Sequence, residues 1–239
     1  MRLSSYILRA LRSPRKILQS LSYITNDEVY WDAYVQDWRR SNNGTSQLGS
    51  EWKHEETFLK ALTQYSSPKH TALEIGCGGG RITARACKLF KGVHAADISK
   101  EMLNQCRKSV PDSNVSYHKL DGFTLGEFAD ASIDLVYSHD VFVHFSVHQV
   151  YTYFQEIRRV LKKGGHCIIS FYDFRISYPL FKDMSQKFYN QRRFPPHMRV
   201  HFVTKEAVGL MLKDLHFKLV ASHSRDFLVV VCRKMLNGT

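Results

Sequence analysis

No apolar run in the 239-residue chain approaches the ~18–20 residues that a membrane-spanning helix needs. Arg9 and Arg12 interrupt the only early stretch with the character of a secretory signal. Cysteine is sparse: the five residues at 77, 87, 106, 167 and 232 form no CxxC pair. That spacing argues against a zinc site and against a disulfide framework, so no metal site is expected and a reducing cytoplasm is the simplest setting. Acidic side chains are also scarce, with 22 Asp and Glu against 34 Lys and Arg, a formal charge of +12. Such a bias concerns partners rather than fold: anionic substrates, nucleic acid and an anionic membrane surface all suit it. No internal repeat or low-complexity tract is present. A hydrophobic content of 44% is ordinary for a globular chain with a real core, and the length suits one large α/β domain with appendages.

Residues 1–26 contain no acidic residue at all. Leu3, Ile7, Ala10, Leu11, Ile17, Leu18, Leu21 and Ile24 recur at helical spacing, with Arg2, Arg9, Arg12, Arg15 and Lys16 on the other side. Ser13-Pro14 divides this basic amphipathic extension into two helices. Three readings stay open: a lid packed on the following domain, a helix lying peripherally on an anionic membrane, or an organelle transit peptide. Residues 27–70 read as a helical cap and linker, with a loop at Ser41–Ser46 and a helix over Glu51–Tyr65.

Over 71–234 the pattern alternates. Strand-like runs are Thr71–Ile75, Gly92–Asp97, Val115–Leu120, Ile133–Ser138 and His166–Tyr172. Between them lie helix-like runs at Arg81–Phe90, Lys100–Ser109 and Val147–Leu161. Ser99 is a natural cap for the second helix, and Ser146 with Gln149 makes a capping box for the third. Alternation of this kind predicts a mostly parallel α/β sheet of about seven strands, with helices on both faces. A helix at Lys205–Leu215, then strands Lys218–Ser224 and Phe227–Arg233, predicts an antiparallel C-terminal hairpin.

The strongest local signal is Leu73-Glu74-Ile75-Gly76-Cys77-Gly78-Gly79-Gly80-Arg81. An apolar strand enters a glycine-rich turn that opens a helix, so backbone can approach a ligand closely and helix N–H groups are available. The dinucleotide spacing G-x-G-x-x-G fails, because its third glycine falls on Arg81. The spacing E-x-G-x-G-x-G fits, with Glu74, Gly76, Gly78 and Gly80. Asp97 ends the next strand, 21 residues after Gly76, where a carboxylate can accept from both ribose hydroxyls. Further signals follow in order: Asp97-Ile98-Ser99-Lys100-Glu101-Met102, Leu120-Asp121-Gly122, Ile133–His139 and Glu156–His166.

This series resembles the class I S-adenosylmethionine-dependent methyltransferases, in particular bacterial small-molecule and glycan enzymes. The resemblance covers roughly the central 100 residues by motif. It implies a Rossmann-like fold and S-adenosyl-L-methionine as cofactor. It implies a cofactor site of Glu74, Gly76, Cys77, Gly78, Gly80, Asp97, Ile98, Met102, Asp121, Gly122 and Ser138, with Ile98 and Met102 lining the adenine pocket and Asp121 accepting from the adenine amino group. The basic N-terminus departs from the family core.

Methyl transfer is an in-line displacement that needs alignment and exclusion of water, and an alcohol acceptor also needs a base. The segment Ser138-His139-Asp140-Val141-Phe142-Val143-His144 follows the fourth strand, where open α/β sheets place their sites. His139 and His144 are the expected base candidates, with Asp140 orienting one of them, and Tyr172 beside Asp173 at the fifth strand end is another. The segment lacks the Pro-Pro-aromatic signature of base-amine methyltransferases, which disfavours nucleobase amines. The expected acceptor is a small molecule, sugar or lipid-linked group methylated at oxygen. RNA or another macromolecule, and a non-catalytic cofactor-binding role, are the alternatives. Residues 174–203 read as a long loop over the acceptor, with cations suited to a phosphate or carboxylate.

Overall fold

The computed structural model describes residues 27–42, 55–192, 200–225 and 227–235, with side chains of the first stretch described through Arg39. The basic extension 1–26, most of the 41–46 loop and Pro195-Pro196 lie outside the described residues.

Two helices precede the sheet: α1 (Asp27–Asn42) and α2 (Glu56–Tyr65). Then come β1 (Thr71–Ile75), a short α3 (Thr83–Ala86), β2 (Gly92–Asp97), α4 (Lys100–Ser109), β3 (Val115–Lys119) and β4 (Ile133–Ser138). The chain continues with a 3-10 turn at Phe142–His144, α5 (Val147–Val160), β5 (Leu161–Asp173), α6 (Tyr178–Gln191) and β6 (Phe202–Val203). It closes with α7 (Lys205–Asp214), β7 (Phe217–Ser224) and β8 (Leu228–Lys234). Sheet order is β3-β2-β1-β4-β5-β8-β7, and β6 adds a two-residue parallel ladder on β5. The strands from β3 to β5 run parallel, and β8 returns antiparallel to both β5 and β7. The sheet is Rossmann-like with an antiparallel terminal hairpin, as the alternation of apolar runs predicts.

The central parallel strands β1 and β4 are buried on both faces, hence their mostly apolar runs, whereas the edge strand β3 is only half-buried. One core layer packs Leu73, Val136, Ile169 and Val230 against Phe154 and Ile157 of α5. The other packs Ala72, Leu135, Ile168 and Val231 against Phe58 and Leu62 of α2. Local signals fix the helix starts. The Ser99 hydroxyl accepts from Met102 N, and Ser146 and Gln149 form the reciprocal capping box. Among the described residues no helix is long and apolar enough to cross a membrane.

Three elements differ from expectation. The helix expected over Arg81–Phe90 is confined to Thr83–Ala86, because Lys88 and Leu89 bond three residues back instead of four. The fifth strand starts at Leu161, and its register with β4 shifts between Ile133 and Leu135 as the Lys162–Gly165 segment is absorbed, with Gly164 at φ 76°. Residues 174–203, read as a loop, contain α6 and β6. Helix α6 buries only Phe188, so its sequence shows no broad apolar face.

Candidate active site

The glycine turn is anchored to β2 through its backbone. Gly76 N and Cys77 N both donate to Ala96 O, at 2.7 and 3.0 Å. Gly76 has φ 75°, and a Cβ there would overlap the Val141 side chain, so this glycine also admits the segment after β4. Gly78, at φ 53°, has no neighbour nearer than Met102 Sδ at 4.0 Å from a built Cβ, which leaves room above the turn.

Asp97 ends β2 under that turn. Its carboxylate accepts from Gly78 N at 2.9 Å and Ser99 N at 2.8 Å. Burial raises its pKa to about 6 against the pull of those two N–H groups, and the nearby Asp32 adds to the rise. The side chain of Ile98 rests on Gly122, whose built Cβ would lie 2.7 Å from Ile98 Cδ1. Met102 is buried with Val35 and Trp38 of α1. Gly76, Gly78, Asp97, Ile98, Met102 and Gly122 therefore converge at the carboxyl ends of β1, β2 and β3.

Other expected cofactor residues are turned elsewhere. The Glu74 carboxylate lies buried beneath the turn, accepting from Thr83 Oγ1 at 2.6 Å and Tyr137 OH at 3.0 Å. Burial outweighs those two bonds and raises its pKa to about 8. Glu74 thus supports the turn from below. Gly80 backs onto Val110 and Cys106. The Cys77 thiol is buried, and its contact with Cys106, then burial, raises its pKa. Ser138 is buried and donates to Ile75 O at 2.7 Å, tying β4 to β1. Asp121 is exposed, and its carboxylate accepts from Phe123 N, Thr124 N and Thr124 Oγ1, each at 2.7 Å. It shapes its own turn, with free lone-pair capacity left on the exposed side.

The expectation that His139 is a near-neutral base meets a buried ring. Its centroid lies 4.6 Å from Phe58 and 5.6 Å from Phe227. Burial, then the Arg81 charge, lowers its pKa to about 3. Ser170 Oγ accepts from Asp140 N at 3.0 Å and lies 3.1 Å from His139 Nδ1. His139 Nδ1 thus shares a hydrogen bond with the Ser170 hydroxyl, and the buried Nε2, 3.6 Å from Asp140 Oδ2, has no hydrogen-bond partner. His139 is a neutral packed residue, a correction forced by elements that sequence proximity did not reveal. Asp140 adopts φ 61°, a left-handed conformation that Asp tolerates better than most side chains, and its carboxylate meets Arg81, which also pairs with Glu55.

His144 is placed differently. It stands past the end of β4, half-buried, with its ring 4.8 Å from Trp31 of α1. Tyr172 is stacked on Phe227 at 5.1 Å and Phe202 at 5.8 Å. Burial, then the Asp140 charge, raises its pKa to about 12, so it is a hydroxyl donor rather than a base. The Asp173 carboxylate accepts from Arg175 N, Ile176 N and Lys205 N, a structural junction. Of the expected cations beyond it, Arg175 pairs with Glu206 and Lys187 with Asp183. Exposed rings of Phe174 and Tyr178 open this side instead.

The sequence did not single out Asp32. This α1 side chain accepts from Ser99 Oγ at 2.5 Å and Glu101 N at 3.2 Å, at the start of α4. Glu28 meets Lys119 at 3.1 Å, and Arg39 meets Glu101 at 2.7 Å. Together with Trp31 on His144, these contacts carry α1 across the ends of β2, β3 and β4. The only local hint was the aromatic and acidic run Asp27–Trp38.

Residues 73–169 match the family model described as Methyltransferase domain. The fold is that of the class I S-adenosylmethionine-dependent methyltransferases, and residues 73–169 carry the sequence match to a methyltransferase domain. The chain is 27% identical over 113 residues to ribosomal protein L11 methyltransferase of Helicobacter hepaticus, covering 47% of this chain and 35% of that protein. It is 29% identical over 114 residues to malonyl-[acyl-carrier protein] O-methyltransferase of Priestia megaterium, covering 45% and 39%. The chain therefore spans well under half the length of these two curated relatives. Magnesium protoporphyrin IX methyltransferase from Synechocystis PCC 6803, solved with bound SAH, superposes with a TM-score of 0.68 at 16% identity, over 87% of this chain and 97% of that one.

Proposed function

We propose that the chain is a methyltransferase that takes its methyl group from S-adenosyl-L-methionine and delivers it to oxygen on a small, sugar or lipid-linked acceptor. One observation carries the cofactor reading: Gly78 of the glycine turn donates to Asp97, so the turn and the ribose-binding carboxylate form one unit. When bound, the cofactor supplies an electrophilic methyl group on a sulfonium with a neutral leaving group. The chain's own residues do the rest. Asp97 would accept from ribose hydroxyls, Ile98 and Met102 would wall the adenine, and Gly76 and Gly78 would let backbone approach the methionine portion. Helix α1 keeps water out. His144 takes the acceptor proton beside Trp31.

The O-methyl acceptor is supported by the histidine past β4 and by the exposed rings of Phe174 and Tyr178, which suit an acceptor with an apolar part. The Priestia relative acts at oxygen by its name. The Helicobacter relative acts on a protein, which keeps a macromolecular acceptor as the second reading. Labelled methyl donor incubated with the chain and separate lipid, glycan, small-molecule, protein and RNA fractions tests the choice. Base-labile label in a small-molecule or lipid fraction is expected for an ester, and base-stable label there for an ether. Label confined to protein or RNA overturns the acceptor reading. Calorimetry with S-adenosylmethionine tests the cofactor reading separately.

A further inference from the structure

The edge of the sheet farthest from the hairpin carries a second constellation, on β2 and β3. Parallel register sets His94 beside Ser116 and Ala96 beside His118. Residues two apart on a strand share a face, so His94, Ser116 and His118 project together. His94 Nδ1 lies 3.0 Å from His118 Nε2, and Ser116 Oγ lies 2.7 Å from the first and 3.0 Å from the second. Three donor atoms thus form a triangle with edges of 2.7–3.0 Å.

We propose that His94 Nδ1, His118 Nε2 and Ser116 Oγ form one face of a binding site for a divalent transition-metal ion. Metal–nitrogen bonds of about 2.1 Å at right angles place neighbouring ligand atoms about 3.0 Å apart. The triangle therefore matches an octahedral face better than the wider edge of a tetrahedron. Imidazole with hydroxyl and water ligands in that geometry suits nickel or cobalt better than zinc, which prefers a tetrahedron. Among the described residues no three His, Cys, Asp or Glu side chains converge on a metal position, so the third protein donor here is a hydroxyl.

The surroundings have the features of a supported ligand set. Glu127 Oε2 lies 3.2 Å from His118 Nδ1, where it accepts that N–H and leaves the Nε2 lone pair facing the triangle. A carboxylate behind a ligand imidazole fixes its tautomer and raises its basicity. The Phe128 ring packs on both imidazoles, with centroids 5.4 Å from His94 and 4.9 Å from His118. An open cleft of about 280 Å³ runs past His94 and Ser116, bordered by Lys91 and Asn114. Ala96, beside His118, also accepts from Gly76 and Cys77 of the glycine turn, but none of the three donors belongs to the proposed cofactor site, so the metal proposal stands apart from the methyl-transfer reading.

The test uses the full chain without a histidine tag, stripped with chelator and titrated with Co²⁺. One equivalent should bind at micromolar Kd, with the weak visible bands of a five- or six-coordinate ion. Thermal stability should rise with free Co²⁺. His94→Ala and His118→Ala should each weaken binding at least tenfold, and Glu127→Gln roughly tenfold. Exposed His223→Ala should change nothing. Near-UV circular dichroism without metal checks that each variant is folded, and the mild Glu127→Gln keeps the test valid if an alanine variant is not. Absence of binding overturns the proposal and leaves a proton-sharing histidine pair. So does binding that survives both alanine variants, because other histidines then hold the ion.

Discussion

The Thr83 hydroxyl donates to the Glu74 carboxylate across 2.6 Å, directly beneath the glycine turn. A residue expected to meet ligand is thereby a buried support with a pKa of about 8. A raised folded pKa means that the stabilising contribution is complete below the free value near 4.5 and is lost as pH rises towards 8. Glu74→Gln keeps an acceptor oxygen for Thr83 and Tyr137 and cannot ionise. The variant should be as stable as the parent near pH 5 and more stable near pH 8, by on the order of 1–3 kcal/mol. Urea unfolding across that range measures it. Equal pH slopes would mean that Glu74 does not titrate there.

Asp97→Ala removes the carboxylate that holds Gly78 N and would accept ribose hydroxyls. S-adenosylmethionine binding should weaken tenfold or more, from loss of roughly 1.5–3 kcal/mol of charge-assisted hydrogen bonding. Calorimetry on the folded variant decides it, and unchanged affinity removes the cofactor assignment.

The two histidines after β4 should separate cleanly. His144→Gln should lower turnover by roughly 10²–10⁴. His139→Gln should leave most of the turnover in place. Its effect belongs to stability instead. The neutral folded ring, with a pKa of about 3, costs stability as pH falls from about 6.5 towards 3. Acid-unfolding curves should show the variant less sensitive in that window. Turnover lost in a folded His139→Gln and kept in His144→Gln would reverse the roles.

Asp32→Ala should loosen α1 from the start of α4. Faster dissociation of S-adenosylmethionine, by several-fold in stopped-flow measurements, is the expected result. An unchanged dissociation rate would show that α1 does not hold the cofactor in place.

The basic extension supplies a fifth prediction. Five cationic side chains in residues 1–26, each worth ~1 kcal/mol near an anionic surface, should make the full chain co-sediment with anionic liposomes at low salt. A chain starting at residue 27 should bind much less. Equal sedimentation of the two would exclude the membrane role.

The central sheet was legible because its signals are local. β1, β2 and β4 are short, mostly apolar runs closed by Gly76, Asp97 and Ser138, and Ser99 and Ser146 cap their helices within three residues. What escaped depends on residues far apart in sequence. His139 is buried by Phe58, Ser170 and Phe227 from three separate elements. Asp32 gains meaning only from Ser99, 67 positions away. Helix α6 escaped because exposure on most of its surface leaves no periodic apolar face. His94 and His118 have no motif spacing, since strand register alone unites them.

The 16-residue helix α1 is a rod roughly 24 Å long. Asp32 and Arg39 fasten it to the start of α4, and Trp31 rests on His144 past the end of β4. One rod therefore spans both ends of the proposed site. If occupancy of one end shifts the rod over the other, the change in affinity is equal in both directions.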